Sequence, residues 1–213
     1  MDGDLGAHVR TAVEPRGLYL FPRSLDNGFR NITTSTKPIE KVEDLKNLKI
    51  RVPTAPLWIS MFKALGASPT SISLSELYSA LQTKIADGQE NPLVQIDTVK
   101  IYEVQKYCSM TGHVWDGNWV AANAKIWNAL PDDVRKLISA HFDAAAVKQR
   151  EDVSRLNAEL ETSLKQKGLI FNHPEKGQFR DALTKAGFYP DWKQNFGAEP
   201  WSKLEKYAGT LGS

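Results

Sequence analysis

Charge of one sign, cysteine, long apolar runs and catalytic signatures are all scarce in this sequence. The 213 residues carry 27 Lys and Arg against 25 Asp and Glu, a formal charge of +2, so no electrostatic excess points toward nucleic acid or an anionic membrane. A small anionic ligand is compatible with that balance. Cys108 is the single cysteine, which excludes an internal disulfide and a multi-cysteine zinc site and leaves the redox compartment open. No stretch reaches the ~18 apolar residues of a membrane helix. The start, Met1-Asp2-Gly3-Asp4, has neither the basic head nor the apolar run of a secretory signal, and reads as a cytoplasmic, processed or N-terminally incomplete chain. Gly-x-Ser-x-Gly, His-Glu-x-x-His, Gly-x-x-x-x-Gly-Lys and Gly-x-Gly-x-x-Gly are absent. Hydrolase, zinc-protease and nucleotide chemistry therefore lack their usual starting points, which argues against an enzyme.

What is present is the composition of a globular domain, 41% hydrophobic and 24% charged, in which strand and helix patterns alternate. Leu48, Ile50 and Val52 alternate with Lys49 and Arg51, predicting a strand. Pro53 and Thr54 then open a helical pattern of Leu57, Met61, Phe62 and Leu65 stopped by Gly66. Ser73 and Glu76 have capping-box spacing ahead of Leu74, Leu77, Tyr78, Leu81 and Ile85, a second helix. Ala86-Asp87-Gly88 reads as a connector or short strand, and Asn91-Pro92 as a helix cap followed by Pro at the first helical position. This alternation predicts a parallel sheet covered by helices. The run from Val114 to Asn123 reads as extended. From Pro131 a helical pattern continues to the Gly168 stop, long enough to brace two lobes or to kink between Lys148 and Asp152. Leu169 to Phe171 adds a strand, and two weaker amphipathic segments follow around Phe179 and Trp201.

Arg51 ends its strand on the side opposite Ile50 and Val52, just before a helix N-terminus, where open sheets bind ligands and free amides favour anions. Its planar fork matches a carboxylate; from spacing alone a solvated surface ion pair is the commoner reading. Arg30, after Asp26-Asn27-Gly28-Phe29, is a second cation near a turn. Asn91 has the chemistry of a ligand amide and of a plain cap. Trp58, Trp115 and Trp119 suit a pocket wall or a core. Asp87 and Glu90 form a carboxylate pair without a nucleophile to match. His113 and Asp116 lack a third group at metal-ligand spacing, so no metal site is assigned, and no cofactor.

Several ordered motifs resemble the solute-binding proteins of tripartite ATP-independent periplasmic (TRAP) transporters, the DctP family. They are Asp26-Asn27-Gly28-Phe29-Arg30, Lys37-Pro38-Ile39, Glu43 to Pro53, Ala64 to Thr70, Ser75-Glu76-Leu77-Tyr78, Ala80 to Thr83, Asp87-Gly88-Gln89-Glu90-Asn91-Pro92, Tyr102 to Tyr107 and Thr111-Gly112-His113. The resemblance is specific from Asp26 to about Gly168 and looser beyond. It implies an exported, periplasmic, two-lobed α/β receptor with parallel-rich sheets flanked by helices and a long helix bridging the lobes. Such a receptor closes on an organic acid and delivers it to membrane permease subunits, with no nucleic acid partner. In it Arg51 pairs with the ligand carboxylate, and Arg30 and Asn91 supply supporting polar contacts. Trp115, Asp116 and Asn118 enter the inter-lobe crossing, where an aromatic ring suits an aromatic acid and Asn118 or Asp116 a hydroxyl or keto group. Leu74 stands where such receptors place an aromatic against the ligand. The ligand expected is a small, dicarboxylate-like acid, with aromatic or keto acids as alternatives. Measured against the family, the chain reads as N-terminally shortened, with neither signal nor most of the first lobe. Residues 30–117 and 157–213 correspond to lobe II, and 1–29 and 118–156 to remnants of lobe I.

Overall fold

A computed structural model describes residues 1–212. Six strands form the main sheet in the order β4-β3-β5-β2-β6-β8: β2 (Leu25–Thr34), β3 (Lys49–Val52), β4 (Ser68–Ser71), β5 (Gly88–Pro92), β6 (Tyr107–Asn118) and β8 (Ile170–Asn172). The sheet is mixed, not parallel as the alternation predicts. β3 runs parallel to β4 and β5, and β8 parallel to β6. The longest strands break the pattern, because β2 lies antiparallel between β5 and β6. No apolar alternation announces β2: its sequence, Leu-Asp-Asn-Gly-Phe-Arg-Asn-Ile-Thr-Thr, is mostly polar although its second half is buried.

Helices cover both faces. Ile32, Ile50 and Val52 on one face pack with Met61 and Phe62 of α2 (Pro56–Ala64) and with Phe179, Leu183 and Phe188 from α7 (Gly177–Lys185) and α8 (Phe188–Phe196). On the other, Cys108 packs with Leu77 and Leu81 of α3 (Leu74–Gln82), Ile96 of α4 (Leu93–Thr98), and Leu160 and Leu164 of α6 (Asp132–Gln166). Each fully buried Leu, Ile or Phe adds roughly 1.5–3 kcal/mol relative to exposure. The Gly66 stop is as expected: its φ of +83° is the left-handed conformation that glycine adopts most cheaply at a helix end. Ser73 does cap α3 by position, but its hydroxyl donates to the Glu76 carboxylate at 2.6 Å and not through the reciprocal backbone bonds of a capping box.

A second, two-stranded sheet joins β1 (Leu18–Leu20) to β7 (Ala121–Asn123). Beside it Tyr19 stacks on Trp127 at 4.4 Å between ring centroids, and Phe21 meets Trp127 and Phe142. Strand β7 accounts for the end of the extended run expected to Asn123; the chain leaves the main sheet after Asn118. Helix α6 is uninterrupted for 35 residues, about 52 Å, and carries Phe142 at the small sheet and Leu160 and Leu164 at the large one. It does not break at its polar middle, because Gln149 and Arg150 there are held by the start of β2: Gln149 exchanges hydrogen bonds with the Asp26 backbone, and Arg150 donates to the Ser24 carbonyl and the Asp2 carboxylate. The N-terminal helix α1 (Asp4–Val13) packs on α9 (Ala198–Ala208), where Asp4 accepts from Tyr207 and Lys206.

Candidate functional site

Polar side chains gather where β3 and β5 end and β2 and β6 pass beside them. Pairing of Arg51 with Gln89 and of Arg30 with Pro92 places two arginines at this end of the sheet. Strand alternation puts Arg51 with Gln89 and Asn91 on one face, and Arg30 with Glu90 on the other. All five side chains are buried, so each polar atom has a hydrogen-bonding account to close.

Arg30 closes its account within the protein. Nε donates to Glu90 Oε2 at 2.5 Å, and Nη2 donates to Glu90 Oε1 at 2.8 Å, to the Glu90 carbonyl at 2.8 Å and to Asn91 Oδ1 at 3.0 Å. Nη1 donates to Asp116 Oδ2 at 2.8 Å. The Trp58 ring lies 5.7 Å from the guanidinium carbon, within cation–π range. Burial alone would lower the Arg30 pKa, yet the Glu90 and Asp116 carboxylates raise it above the ordinary value. Burial likewise pushes Glu90 up, and hydrogen bonds from His113 and Arg30 overcome it and hold Glu90 below the usual carboxylate range.

His113 reaches Glu90 because β6 bulges. Between the pairs Arg30↔Val114 and Ile32↔Ser109 the register shifts, so β6 carries extra residues through Thr111, Gly112 and His113. Gly112, at φ +54°, turns the bulge, and its N–H donates to Asn31 Oδ1 at 3.1 Å. His113 Nε2 then lies 3.1 Å from Glu90 Oε2, and Nδ1 lies 2.8 Å from the Thr111 hydroxyl. A neutral imidazole donating from Nε2 and accepting at Nδ1 satisfies both contacts.

Arg51 is as buried as Arg30, at 3% exposure, but its surroundings differ. Its Nε donates to the Ile72 carbonyl at 2.7 Å, and no carboxylate among the described residues lies within ion-pair distance of it. Burial lowers its pKa, with the Glu90 charge opposing and the Arg30 charge adding to that shift. A buried cation without an anionic partner is costly, and a carboxylate ligand is the group that relieves the cost.

Asn91 is not a helix cap. It lies inside β5, Pro92 takes the cap position of α4, and the Asn91 amide bridges Arg30 and Gln89, donating to Gln89 Oε1 at 2.5 Å. Gln89 in turn donates to Thr33 at 2.8 Å. Asp116 joins the cluster through Arg30. Asn118 is exposed at the end of β6, paired with Leu25, and Leu74 opens α3 at 43% exposure, just past the Ile72 carbonyl that holds Arg51. Trp115 stands apart: alternation along β6 turns it to the face opposite Asp116, where its Nε1 donates to Asp26 and its ring lines a cavity of about 320 Å³ with Leu5, Leu204 and Tyr207. Glu90 and His113 join this cluster although the sequence motifs mark neither as a ligand-contacting residue. A polar Gln-Glu-Asn run at a strand end is the one signal of Glu90, and the glycine within the strand, Gly112, is the local signal of the His113 bulge.

The chain matches the family model DctP, bacterial extracellular solute-binding protein family 7, over residues 1–189. It is 39% identical over 206 residues to the sialic acid-binding periplasmic protein SiaP of Vibrio cholerae, covering 95% of this chain and 62% of that protein. With the 2,3-diketo-L-gulonate-binding periplasmic protein YiaO of Escherichia coli it shares 30% identity over 184 residues, 86% of this chain and 56% of the relative. The TRAP periplasmic solute binding protein of Polaromonas sp. JS666, solved bound to D-erythronate, superposes with a TM-score of 0.90 at 32% identity, covering 96% of this chain and 67% of that one. The chain thus spans under two thirds of the length of the curated relatives it matches.

Proposed function

The chain belongs to the DctP family, family 7 of the bacterial extracellular solute-binding proteins, and from that premise we propose that it is the ligand-binding part of a TRAP transport receptor for a carboxylate-containing organic acid. The observation that carries the reading is Arg51, a buried guanidinium whose partner among the described residues is one backbone carbonyl, with no carboxylate of those residues within ion-pair distance. The ligand carboxylate binds its free η nitrogens. Arg30 and Asn91, fixed by Glu90 and Gln89, hold the floor beside it in one geometry, so little ordering is left for the ligand to impose. The relatives' printed names, for sialic acid and 2,3-diketo-L-gulonate, and the D-erythronate structure describe acids of this general class.

Delivery to membrane permease subunits, a periplasmic location and the absence of turnover belong to the same proposal, and the family's role supports them. So does a division into lobes, with residues 30–117 and 157–213 as lobe II and 1–29 and 118–156 as parts of lobe I. The six-stranded sheet draws its strands almost wholly from the first set, and the two-stranded sheet wholly from the second. A ligand that binds groups of both lobes stabilises the closed arrangement by its differential affinity for it.

Isothermal titration with a panel of mono-, di-, keto- and aromatic carboxylates tests the reading. The expected result is saturable binding without product, lost at least thirtyfold in Arg51→Ala, since truncating one partner of a desolvated charge pair costs about 2–5 kcal/mol. Undiminished affinity in that variant would remove Arg51 from the site.

A further inference from the structure

We propose that the cavity floored by Trp115 is a second binding site, separate from the arginine cluster, for a neutral aromatic molecule of one or two rings. Strand β6 supplies its floor, and the chain around the start of α1 and the end of α9 supplies its walls. Met1, Gly3, Leu5, Trp115, Leu204 and Tyr207 line about 320 Å³. Trp115 is 36% exposed, Met1 39% and Tyr207 65%, so three large apolar side chains left in contact with water converge on one hollow. Single exposures of this kind are ordinary, whereas convergence on a concave surface marks a place where something binds.

Both rings are held in place by the protein. Trp115 Nε1 donates to Asp26 Oδ1 at 2.8 Å, and the Tyr207 hydroxyl donates to Asp4 Oδ1 at 2.8 Å. The six-membered ring of Trp115 lies over Gly117, where a Cβ would stand 2.0 Å from Cη2. Glycine at 117 is therefore what lets the indole settle against the strand and leaves the space above it open. Lys206 Nζ stands 5.4 Å from the centre of the Tyr207 ring, and no aromatic ring of the described residues packs against either Trp115 or Tyr207. Ring surface of both is left for a guest, and aromatic groups gain from offset or edge contact with one another beyond the area they bury.

The lining also sets the class and size of the guest. None of the six lining side chains is charged, so a buried carboxylate or ammonium would find no side-chain counter-ion there and a neutral molecule is favoured. An apolar cavity of about 150 Å³ holds benzene, so this one suits a single ring or a fused pair. It is too narrow for a docked helix, which is about 10 Å across. Alternation along β6 puts Trp115 and Asp116 on opposite faces, so this cavity and the Arg30 network lie back to back and share no side chain.

Saturation-transfer NMR and calorimetry on the whole chain test the site, with indole, benzyl alcohol and cyclohexylmethanol as the probes. Saturable binding of indole and benzyl alcohol is expected, with benzyl alcohol held roughly threefold tighter than cyclohexylmethanol, which has its size without its ring electrons. Gly117→Ala drives the indole ring into the cavity and Leu204→Trp fills the cavity from the α9 wall. Each should weaken indole binding at least fivefold, and either variant that melts cooperatively is sufficient for the comparison. No saturation by indole, or undiminished affinity in a folded variant, overturns the site. Equal binding of the two alcohols overturns its aromatic class. Carboxylate titration is a separate readout, so each of these results leaves the reading of Arg51 where it stands.

Discussion

The two arginines are both buried and differently partnered, and on the proposed reading the difference separates what holds the fold from what awaits a ligand. Around Arg30, Glu90, Asn91 and Asp116 answer every nitrogen, and His113 completes Glu90 from the β6 bulge. Around Arg51 the described residues supply one carbonyl, from Ile72. A closed network fixes side chains in one arrangement and gives a ligand little to add. An open one carries a standing desolvation cost, which under the proposed function the ligand carboxylate removes.

Breaking the closed side is expected to give the largest loss of stability. Glu90→Gln leaves a buried guanidinium short of its main anion and should destabilise by about 3 kcal/mol, the low end for a broken buried pair because Asp116 and Asn91 still hold it; urea denaturation reads this directly. Loss under 1 kcal/mol would mean that Asp116 alone balances Arg30.

Acid acts on the same group. The folded pKa of Glu90 is depressed, so its contribution is fully present above the unfolded carboxylate value, near 4.3, and fades as pH falls through the lower folded value. The unaltered chain should lose stability below about pH 4.5, and Glu90→Gln should show a shallower loss over that window in a pH series of urea midpoints. Parallel slopes would show that other carboxylates carry the acid sensitivity.

A smaller effect belongs to the half-exposed N-terminal clamp. The Arg150 guanidinium holds Asp2 at about 2, below its ordinary 3.8, so Asp2 stabilises above pH 4 and stops doing so as pH approaches 2. Asp2→Asn should cost no more than about 1 kcal/mol at pH 7, as partly exposed pairs do, and should not lower stability further at pH 2.

On the open side the expected change in stability is near zero. Arg51→Met keeps the aliphatic volume, removes a buried unpaired charge and forfeits the bond to Ile72, so its urea midpoint should stay within about 1 kcal/mol of the unaltered chain. A loss of 3 kcal/mol would place Arg51 among the structural residues with Arg30.

Legibility in the sequence followed the range of the forces involved. The β3 strand and the α2 and α3 helices were readable because apolar alternation and helical spacing are local and bury one face. Arg51 and Asn91 were singled out through ordered motifs, and both are buried on one face of the sheet; their binding role stays part of the proposal. Strand β2 was not, because its pairing with β5 and β6 on both sides buries polar residues whose hydrogen bonds come from distant segments. Asn91 looked like a cap for the same reason: its partners, Arg30 and Gln89, are set by strand register, not by the following helix.

By itself the sequence determined which segments become helices and strands with apolar faces and which family supplies the frame, since both are written in residue order. The tertiary structure alone decided that Arg30 is spent on Glu90 and Asp116 while Arg51 has no carboxylate partner among the described residues, and that Trp115 turns away from Arg30 and Asp116 to meet Asp26. Antiparallel insertion of β2 and the bulge in β6 bring together charges 60 and 86 residues apart. Pairing at such separation depends on register and strand face, and no local pattern carries either.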